Sequence, residues 1–277
     1  METRKPLRFL SLGAGVQSTT VLLMMIHGEI ERADHVIFAD TGWEPAGVYE
    51  HLARLEELMV KHDLPFHKVG VGNIREDAII PDKRSATLPF HMINADGSRG
   101  MIRRQCTNDY KIQPLLKKQR ELVGLARGQR SKEHLGTTVI GISWDETQRM
   151  RDAAFSWLRN EYPLVDLRMT REDCLAWCAK NGYALPPRSA CIGCPFKSDA
   201  EWRRLKETMP EEWADAVAFD KAIRDPATKK KMMRSTPYLH KSAVPLDEVD
   251  LRTEEERGIM RLFEEEFGQE CEGMCGL

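Results

Sequence analysis

The sequence predicts an α/β protein built on a parallel sheet flanked by helices, with a smaller helical C-terminal region. In the first half of the chain, short apolar runs typical of strands alternate with amphipathic segments typical of helices. This βαβ repetition favours a parallel sheet, because parallel strands need a crossover connection between them. After about residue 165 the alternation stops and helical segments dominate. We therefore predict a sheet domain over 1–165 and a helical region over 166–277, the latter with a Cys-x-x-Cys loop and a flexible tail.

The individual elements follow from the spacing of apolar residues and from the turn residues between them. We predict strands near 7–12, 35–39, 66–71 and 137–142, and helices near 17–28, 46–62 and 109–126. Residues 81–105 contain two prolines and two glycines and are predicted as an irregular loop. In the C-terminal region, a capping box at Thr170 predicts a helix to about Lys180. Further helices are predicted near 198–207, 211–223 and 253–267.

Composition restricts the class of protein. Of the 277 residues, 42% are hydrophobic and 30% are charged, which is typical of a globular protein. No run of about 18 apolar residues occurs, so we predict no membrane span and no membrane partner. The N-terminal residues pass directly into the first predicted strand without the apolar core of a signal peptide, and we therefore expect a cytoplasmic protein.

The net charge of −2 conceals a basic stretch. Residues 99–132 contain ten Arg or Lys residues against two acidic ones. Such a stretch is typical of contact with a polyanion, and equally of a solvated helix face. His240 is open to two interpretations in the same way, as a phosphate ligand or as a structural residue.

A small-residue turn joins the first predicted strand to the first helix. Glycines let the backbone approach an oxyanion, and the free N–H groups and dipole of a helix start favour negative charge. The pattern predicts an anion cradle, although an ordinary βα turn also explains a glycine pair. The candidate binding residues are Ser11, Gly13, Ala14, Gly15, Gln17, Ser18 and Thr19.

The second predicted strand ends at Asp40, which is followed by Thr41 and Gly42. In a parallel sheet this end lies beside the loop that follows the first strand. A carboxylate there can bind Mg²⁺ or orient a nucleotide, whereas its ordinary role is an Asx turn that ends the strand. We predict that these three residues complete a nucleotide site.

Five motifs in this order resemble the N-type ATP pyrophosphatases, in particular their phosphoadenosine-phosphosulfate (PAPS) reductase branch. The segment Gly13-Ala14-Gly15-Val16-Gln17-Ser18 resembles the family's phosphate-binding PP-loop, with Gly13 in place of its first Ser and Val16 in place of its basic residue. The other motifs are Asp40-Thr41-Gly42, Arg104-Gln105-Cys106-Thr107 with Lys111-Ile112-Gln113-Pro114-Leu115, Gly141-Ile142-Ser143-Trp144-Asp145-Glu146 with Arg149, and Tyr162-Pro163-Leu164 through Cys191-Ile192-Gly193-Cys194. The resemblance covers residues 7–200.

The resemblance implies a Rossmann-like, adenine nucleotide alpha hydrolase-like fold that binds ATP with Mg²⁺. It implies ATP pyrophosphatase activity, in which an acceptor is adenylylated and sulfur then displaces AMP. The chain is similar to the ATP-pyrophosphatase component of DNA phosphorothioation systems, which implies a DNA or other nucleic-acid acceptor and a cysteine desulfurase as sulfur donor. A homodimer is a further expectation. The implied catalytic residues are Asp40, Arg104, Asp145, Glu146 and Arg149.

Seven cysteines in a chain without an export signal predict reduced thiols with metal or redox chemistry. Cys191 and Cys194 form a Cys-x-x-Cys pair, a spacing that can place two thiolates on one metal. Iron–sulfur members of the resembled branch hold a [4Fe–4S] cluster, which implies Cys106 as a third ligand. The fourth iron is then either open or bound by a tail cysteine, for which Cys275 is the candidate. Zn²⁺ is the alternative metal.

The sequence also suggests two alternatives to the ATP pyrophosphatase function. The tail Cys275-Gly276-Leu277 is similar to the motif that carries the nucleophilic cysteine of the family's reductases. This similarity implies reduction of an adenylyl sulfate by Cys275. The other alternative is a non-catalytic nucleotide- or nucleic-acid-binding module with a structural zinc.

Overall fold

The computed structural model describes four ranges of the chain, which are 5–81, 88–228, 235–253 and 256–257. They divide into two compact units that interleave along the sequence. Residues 5–71 and 107–189 form the first unit, and the described parts of 72–106 and 190–257 form the second. The predicted boundary at residue 165 falls inside the first unit.

Strands and helices alternate along most of the described ranges. The strands are β1 (Leu7–Leu12), β2 (His35–Asp40), β3 (Phe66–Gly70), β4 (His91–Ile93), β5 (Arg99–Met101), β6 (Gly136–Ile140), β7 (Leu158–Glu161) and β8 (Thr236–Tyr238). The helices are α1 (Val16–His27), α2 (Ala46–Lys61), α3 (Ile74–Ile79), α4 (Gln113–Leu122), α5 (Pro163–Asp166), α6 (Arg171–Lys180), α7 (Asp199–Thr208) and α8 (Pro210–Ala222). A π-helical turn over Thr107–Ile112 leads directly into α4, and 3₁₀ turns cover Trp144–Arg149 and Leu246–Glu248.

The first unit contains the predicted parallel sheet. Its five strands lie in the order β3-β2-β1-β6-β7, and each neighbouring pair is parallel. With helices on its faces, the sheet has a Rossmann-like α/β layout. The strand order reverses between β1 and β6, and open α/β sheets bind ligands at the carboxyl ends of the strands at such a point.

Both faces of this sheet are covered, which explains why its strands read as continuous apolar runs. Leu10 and Val36 belong to a buried cluster with residues of α1, α2 and α6. Phe9 and Ile37, their neighbours along the strands, belong to a second cluster with residues of α4. Because successive strand side chains point to opposite faces, β1 and β2 each supply both cores. The strands from which the loops after β1 and β2 start are therefore packed on both faces.

The prediction of an irregular loop over 81–105 is wrong for residues 91–101. There β4 and β5 form an antiparallel hairpin, and β8 pairs with the other side of β4, so the second unit contains a three-stranded sheet. Strands of three residues are too short to show a two-residue periodicity. The turn signal was nevertheless present, because Gly97 follows Asp96 and adopts the left-handed conformation with φ of +80°.

The predicted capping box at the start of α6 is confirmed. Thr170 Oγ1 accepts a hydrogen bond from the Asp173 amide at 3.1 Å, and the Asp173 carboxylate accepts one from the Thr170 amide at 2.8 Å. The helix predicted near 253–267 lies outside the described residues except at positions 253, 256 and 257. Within the described ranges, no helix is long and apolar enough to cross a membrane.

Candidate functional site

The loop between β1 and α1 has the predicted sharp turn. Ser18 Oγ accepts a hydrogen bond from the Gly13 amide at 3.1 Å, which ties the loop to the first turn of α1. Ala14 adopts the left-handed conformation with φ of +56°, whereas Gly15 is extended with φ of −95°. A non-glycine residue in the left-handed region costs on the order of 1 kcal/mol, and such strain clusters at ligand-binding loops.

The start of α1 has no side-chain cap. Its N-cap residue is Gly15, which has no side chain to accept hydrogen bonds from the first N–H groups, and the first turn contains no acidic residue. The N–H groups of a first helical turn have no partner within the helix, and the dipole makes this end positive. The backbone of Val16 and Gln17 is therefore suited to bind an anion.

Gln17 connects this loop to the segment that follows β6. Its Nε2 atom donates hydrogen bonds to Glu146 Oε2 at 3.1 Å and to Ser143 Oγ at 3.5 Å. Because the strand order reverses between β1 and β6, these contacts span the switch point of the sheet. The side chain is fully buried, and its Oε1 atom has no hydrogen-bond partner in the described part of the chain. A buried acceptor without a partner costs about 1–3 kcal/mol, so this position favours a ligand with a donor group.

The residues of the loop between β1 and α1 are buried. Ala14, Gln17 and Ser18 are fully buried, and Val16 and Thr19 are each 1% exposed. A ligand therefore reaches the loop amides only after covering groups have moved. Ser11 lies within β1 itself and is also buried.

Asp40 ends β2 and accepts hydrogen bonds from three donors. The Gly42 amide and the Tyr49 hydroxyl each lie 2.8 Å from its carboxylate, and Lys68 Nζ lies 2.9 Å away. Burial opposes ionisation of this group, but the bonds from Lys68, Gly42 and Tyr49 outweigh it and hold the pKa of Asp40 below its usual value. Asp40 is therefore an ionised carboxylate paired with a cation on β3, and its contact with Gly42 forms an Asx turn.

A buried ion pair follows directly after this turn. Lys111 Nζ lies 3.4 Å from Glu44 Oε1, and the two side chains are 5% and 1% exposed. Thr41 Oγ1 donates a hydrogen bond to the same Glu44 oxygen at 3.1 Å. Lys111 lies in the π-helical turn, and such turns are frequent at functional sites.

The charged residues predicted after β6 have different partners. Glu146 contacts Gln17 and also pairs with Arg149 Nη1 at 2.5 Å. Asp145 accepts a hydrogen bond from the Arg171 amide at 3.1 Å and so contacts the start of α6. The structure therefore brings Glu146 and Arg149 to the loop through Gln17, and directs Asp145 to a helix start.

Thr19 pairs with a histidine of α2. Its Oγ1 lies 3.0 Å from His51 Nε2, and His51 is 5% exposed. Burial lowers the pKa of His51 to about 4, and the charge of Arg54 acts in the same direction. The imidazole is therefore neutral at pH 7.

We expect His51 to destabilise the fold as the pH falls from about 6.5 towards about 4. In this window the unfolded chain binds a proton on His51 and the folded chain does not, so stability rises with pH and is lost on acidification, by on the order of 2 kcal/mol. Urea unfolding at about pH 7 and about pH 4.5 measures the effect in the wild type and in His51→Gln. The variant should lose less stability between the two conditions, and an equal loss would contradict the assignment.

The predicted metal ligands Cys106, Cys191 and Cys194 all belong to the second unit. The Cys194 amide donates to the Cys191 carbonyl at 3.1 Å, so the Cys-x-x-Cys segment forms a tight turn. In the ranges that the structure describes, no group of three or more His, Cys, Asp or Glu side chains is placed to hold a metal ion. A metal centre on these cysteines therefore stays a prediction, and Cys275 lies outside the described residues.

Arg104 also belongs to the second unit, whereas the loop after β1 belongs to the first. Its guanidinium lies over the ring of Phe196, 5.4 Å from the centroid. Its predicted role as an oxyanion partner stays a prediction.

Sequence reasoning missed three side chains that contact predicted site residues, which are Glu44, His51 and Lys68, and it also missed Lys111, which pairs with Glu44. Lys111 lay within a segment that carries the family resemblance and Glu44 two residues after another, but neither had a predicted role. A usable signal was that Lys111 is the single charged residue in the run from Tyr110 to Leu116. The pairing partners are distant in sequence, and no local pattern indicates them.

The sheet order and its covering helices define an α/β protein with a Rossmann-like layout. No protein-family model matches the chain, and no curated protein matches it.

Proposed function

We propose that the chain is an ATP pyrophosphatase of the PAPS reductase type, with an adenine nucleotide alpha hydrolase-like fold. The observation that carries the proposal is the uncapped start of α1 at the point where the strand order reverses. Its amides favour phosphate, and the unpartnered Gln17 Oε1 offers an acceptor for a ribose hydroxyl or for the adenine amino group. Together they favour a nucleotide over a bare anion.

In the proposed reaction, an acceptor oxygen attacks the α-phosphorus of ATP in line. A new P–O bond forms, the bond to the oxygen that bridges to the β-phosphorus breaks, and pyrophosphate leaves with that electron pair. A sulfide equivalent, released from cysteine by a desulfurase and a thiol reductant, then displaces AMP from the acceptor. The loop amides and Arg149 would neutralise the charge that develops on the phosphates. A nucleic acid is the proposed acceptor, as in DNA phosphorothioation.

The carboxylates of the first unit differ in how well they suit Mg²⁺. Asp40 already binds the Lys68 ammonium and two further donors, so it does not fit as an open ligand. The bonds of Glu146 to Gln17 and Arg149 both use its Oε2 atom, whereas those of Asp40 use both carboxylate oxygens, so we assign Glu146 Oε1 to the Mg²⁺ that enters with ATP.

We assign no step of the proposed reaction to an iron–sulfur cluster or a zinc ion, because the described side chains form no group of three metal ligands. The predicted [4Fe–4S] or Zn²⁺ site on Cys106, Cys191 and Cys194 is tested by iron, sulfide and zinc analysis of protein purified without oxygen.

The proposed function is tested by measuring ATP binding and pyrophosphate release with the purified full chain. We expect ATP to bind, and pyrophosphate to appear only when a nucleic-acid acceptor is supplied, because the acceptor oxygen is the nucleophile. The Cys275→Ser variant should release pyrophosphate at the wild-type rate.

Three outcomes would contradict this proposal. A thiosulfonate formed on Cys275 from an adenylyl sulfate, and absent in Cys275→Ser, would assign the chain to the reductases. ATP binding without turnover under every acceptor condition would favour a non-catalytic module. Absence of ATP binding would reject the nucleotide site itself.

A further inference from the structure

A cavity of about 470 Å³ lies within the second unit. Its wall includes Arg99 of β5, Asp199 at the start of α7, and residues 240–242 and 244 after β8. Val244 and Val249 add an apolar surface. The volume lies in the range of small-molecule sites, and the wall combines charged and apolar groups as such sites do.

The histidine of this wall is buried and has a fixed tautomer. The His240 side chain is 3% exposed. The Ser242 amide donates a hydrogen bond to its Nδ1 atom at 3.1 Å, so the ring proton lies on Nε2, which faces Asp199 Oδ1 at 3.2 Å. Burial lowers the pKa of His240 more than Asp199 raises it, so the ring is neutral at pH 7. His240 therefore adds no charge to the cavity.

The remaining charges leave one cation in excess. The two acids of the wall are already paired, Asp199 with Lys241 at 2.8 Å, and Asp250 with Arg252 at 2.8 Å and with Arg257 at 3.4 Å. Arg99 lies exposed on β5 and makes no ion pair with any residue that the structure describes. The wall thus carries three cations against two acids, and Arg252 pairs with one of these acids from outside the wall, so the site favours an anionic group. A phosphodiester is such a group, and its sugar can pack on the valines.

An exposed aromatic ring in the same unit adds a second feature. Phe196 is 39% exposed and lies beneath the Arg104 guanidinium. The preceding carbonyl, that of Pro195, lies 3.2 Å from His91 Nε2 on β4. Because β4 pairs with β5, the loop that carries the ring contacts the same small sheet that carries Arg99. Aromatic rings beside cations stack the unpaired bases of single strands.

We propose that the second unit binds single-stranded nucleic acid, with one phosphodiester in the cavity beside Arg99 and one base stacked on Phe196. A duplex fits less well, because its bases are already stacked on one another. The proposal rests on the proposed function only for the bound strand's role as acceptor. Binding itself requires no ATP, so it is measured without nucleotide and fails or succeeds independently of the ATP site.

The test is fluorescence anisotropy of a labelled oligothymidylate of about 16 nucleotides with the full chain. Arg99→Gln should raise the dissociation constant about tenfold and lower the slope of log affinity against log salt by about 0.7, because one phosphate contact is lost. Arg127→Gln is the matched control, since Arg127 is an exposed cation of the first unit within the same basic stretch. It should change the dissociation constant less than about twofold.

Two further variants test the shape of the cavity and the stacking on Phe196 without changing any charge. Val244→Phe fills the cavity without changing its charge and should weaken binding as much as Arg99→Gln. Phe196→Ala should weaken binding about tenfold through lost stacking. Its control, Phe155→Ala, removes a ring that is 42% exposed in the first unit and should have little effect.

Equal losses in Arg99→Gln and Arg127→Gln would overturn the proposal, because binding would then follow total charge alone. Calorimetry with inorganic phosphate tests whether the cavity binds free phosphate in place of a phosphodiester. Arg99-dependent phosphate binding without oligonucleotide binding would also overturn it. If Arg99→Gln fails to fold, Arg99→Lys keeps the charge and should retain most of the affinity.

A duplex bound more tightly than the single strand would contradict the stacking of a base on Phe196.

Discussion

Replacing Lys111 with Met is expected to lower the free energy of unfolding by about 3–5 kcal/mol. The ammonium lies 3.4 Å from Glu44, and neither side chain is more than 5% exposed. Without it, the buried Glu44 carboxylate loses the Lys111 ammonium, and the Thr41 hydroxyl that also bonds to it is a neutral donor. Urea unfolding followed by circular dichroism measures the loss.

Two comparisons make this result specific. The double variant Glu44→Gln/Lys111→Met replaces the ion pair by neutral groups of similar size and should recover most of the stability. Lys118→Met breaks the pair with Glu121 on an exposed surface and should leave stability nearly unchanged. A double variant as unstable as Lys111→Met would show that packing, and not the uncompensated carboxylate, causes the loss.

Replacing Gly15 with Asp is expected to weaken ATP binding at least 100-fold while the fold stays intact. Gly15 is extended, with φ of −95° and ψ of −174°, and Asp in this conformation is a favourable N-cap. Its carboxylate would accept the hydrogen bonds that we assign to phosphate and would repel the polyphosphate. Calorimetry gives the affinity, and a thermal melt shows that the variant is folded.

The matched variant is Gly15→Asn, which caps the helix with a similar shape and no charge. It should weaken ATP binding by only about tenfold, because it competes for the amides without repulsion. Equal affinity of the Asp variant and the wild type would place the phosphates elsewhere. Equal losses in the Asp and Asn variants would point to steric exclusion.

The first unit was largely predictable because its signals are local. The buried strands β1 and β2 read as apolar runs, the glycine turn marks the start of α1, and Thr170 forms its capping box within three residues. The short strands β4, β5 and β8 were missed because three residues show no period. Their pairing depends on tertiary contacts.

The candidate site was predictable only in part for the same physical reason. The loop residues and Asp40 follow strand ends, so topology alone places them at one edge of the sheet. Gln17 and Glu146 are 129 positions apart, and their contact requires β6 to lie beside β1. The Glu44–Lys111 pair requires the π-helical turn, which no residue pattern indicates. Sequence thus shows which groups stand at the edge of the sheet, and the fold decides how they pair.

The interleaving of the two units has a consequence for synthesis on the ribosome. Asn94, beside β4, bonds to Ser235, beside β8, and the two residues are 141 positions apart. Translation of that length takes on the order of 10 s, and domains generally fold as they emerge. For those seconds the nascent hairpin of β4 and β5 presents an open strand edge, the kind of surface that templates association between chains. Only the late arrival of β8 closes it.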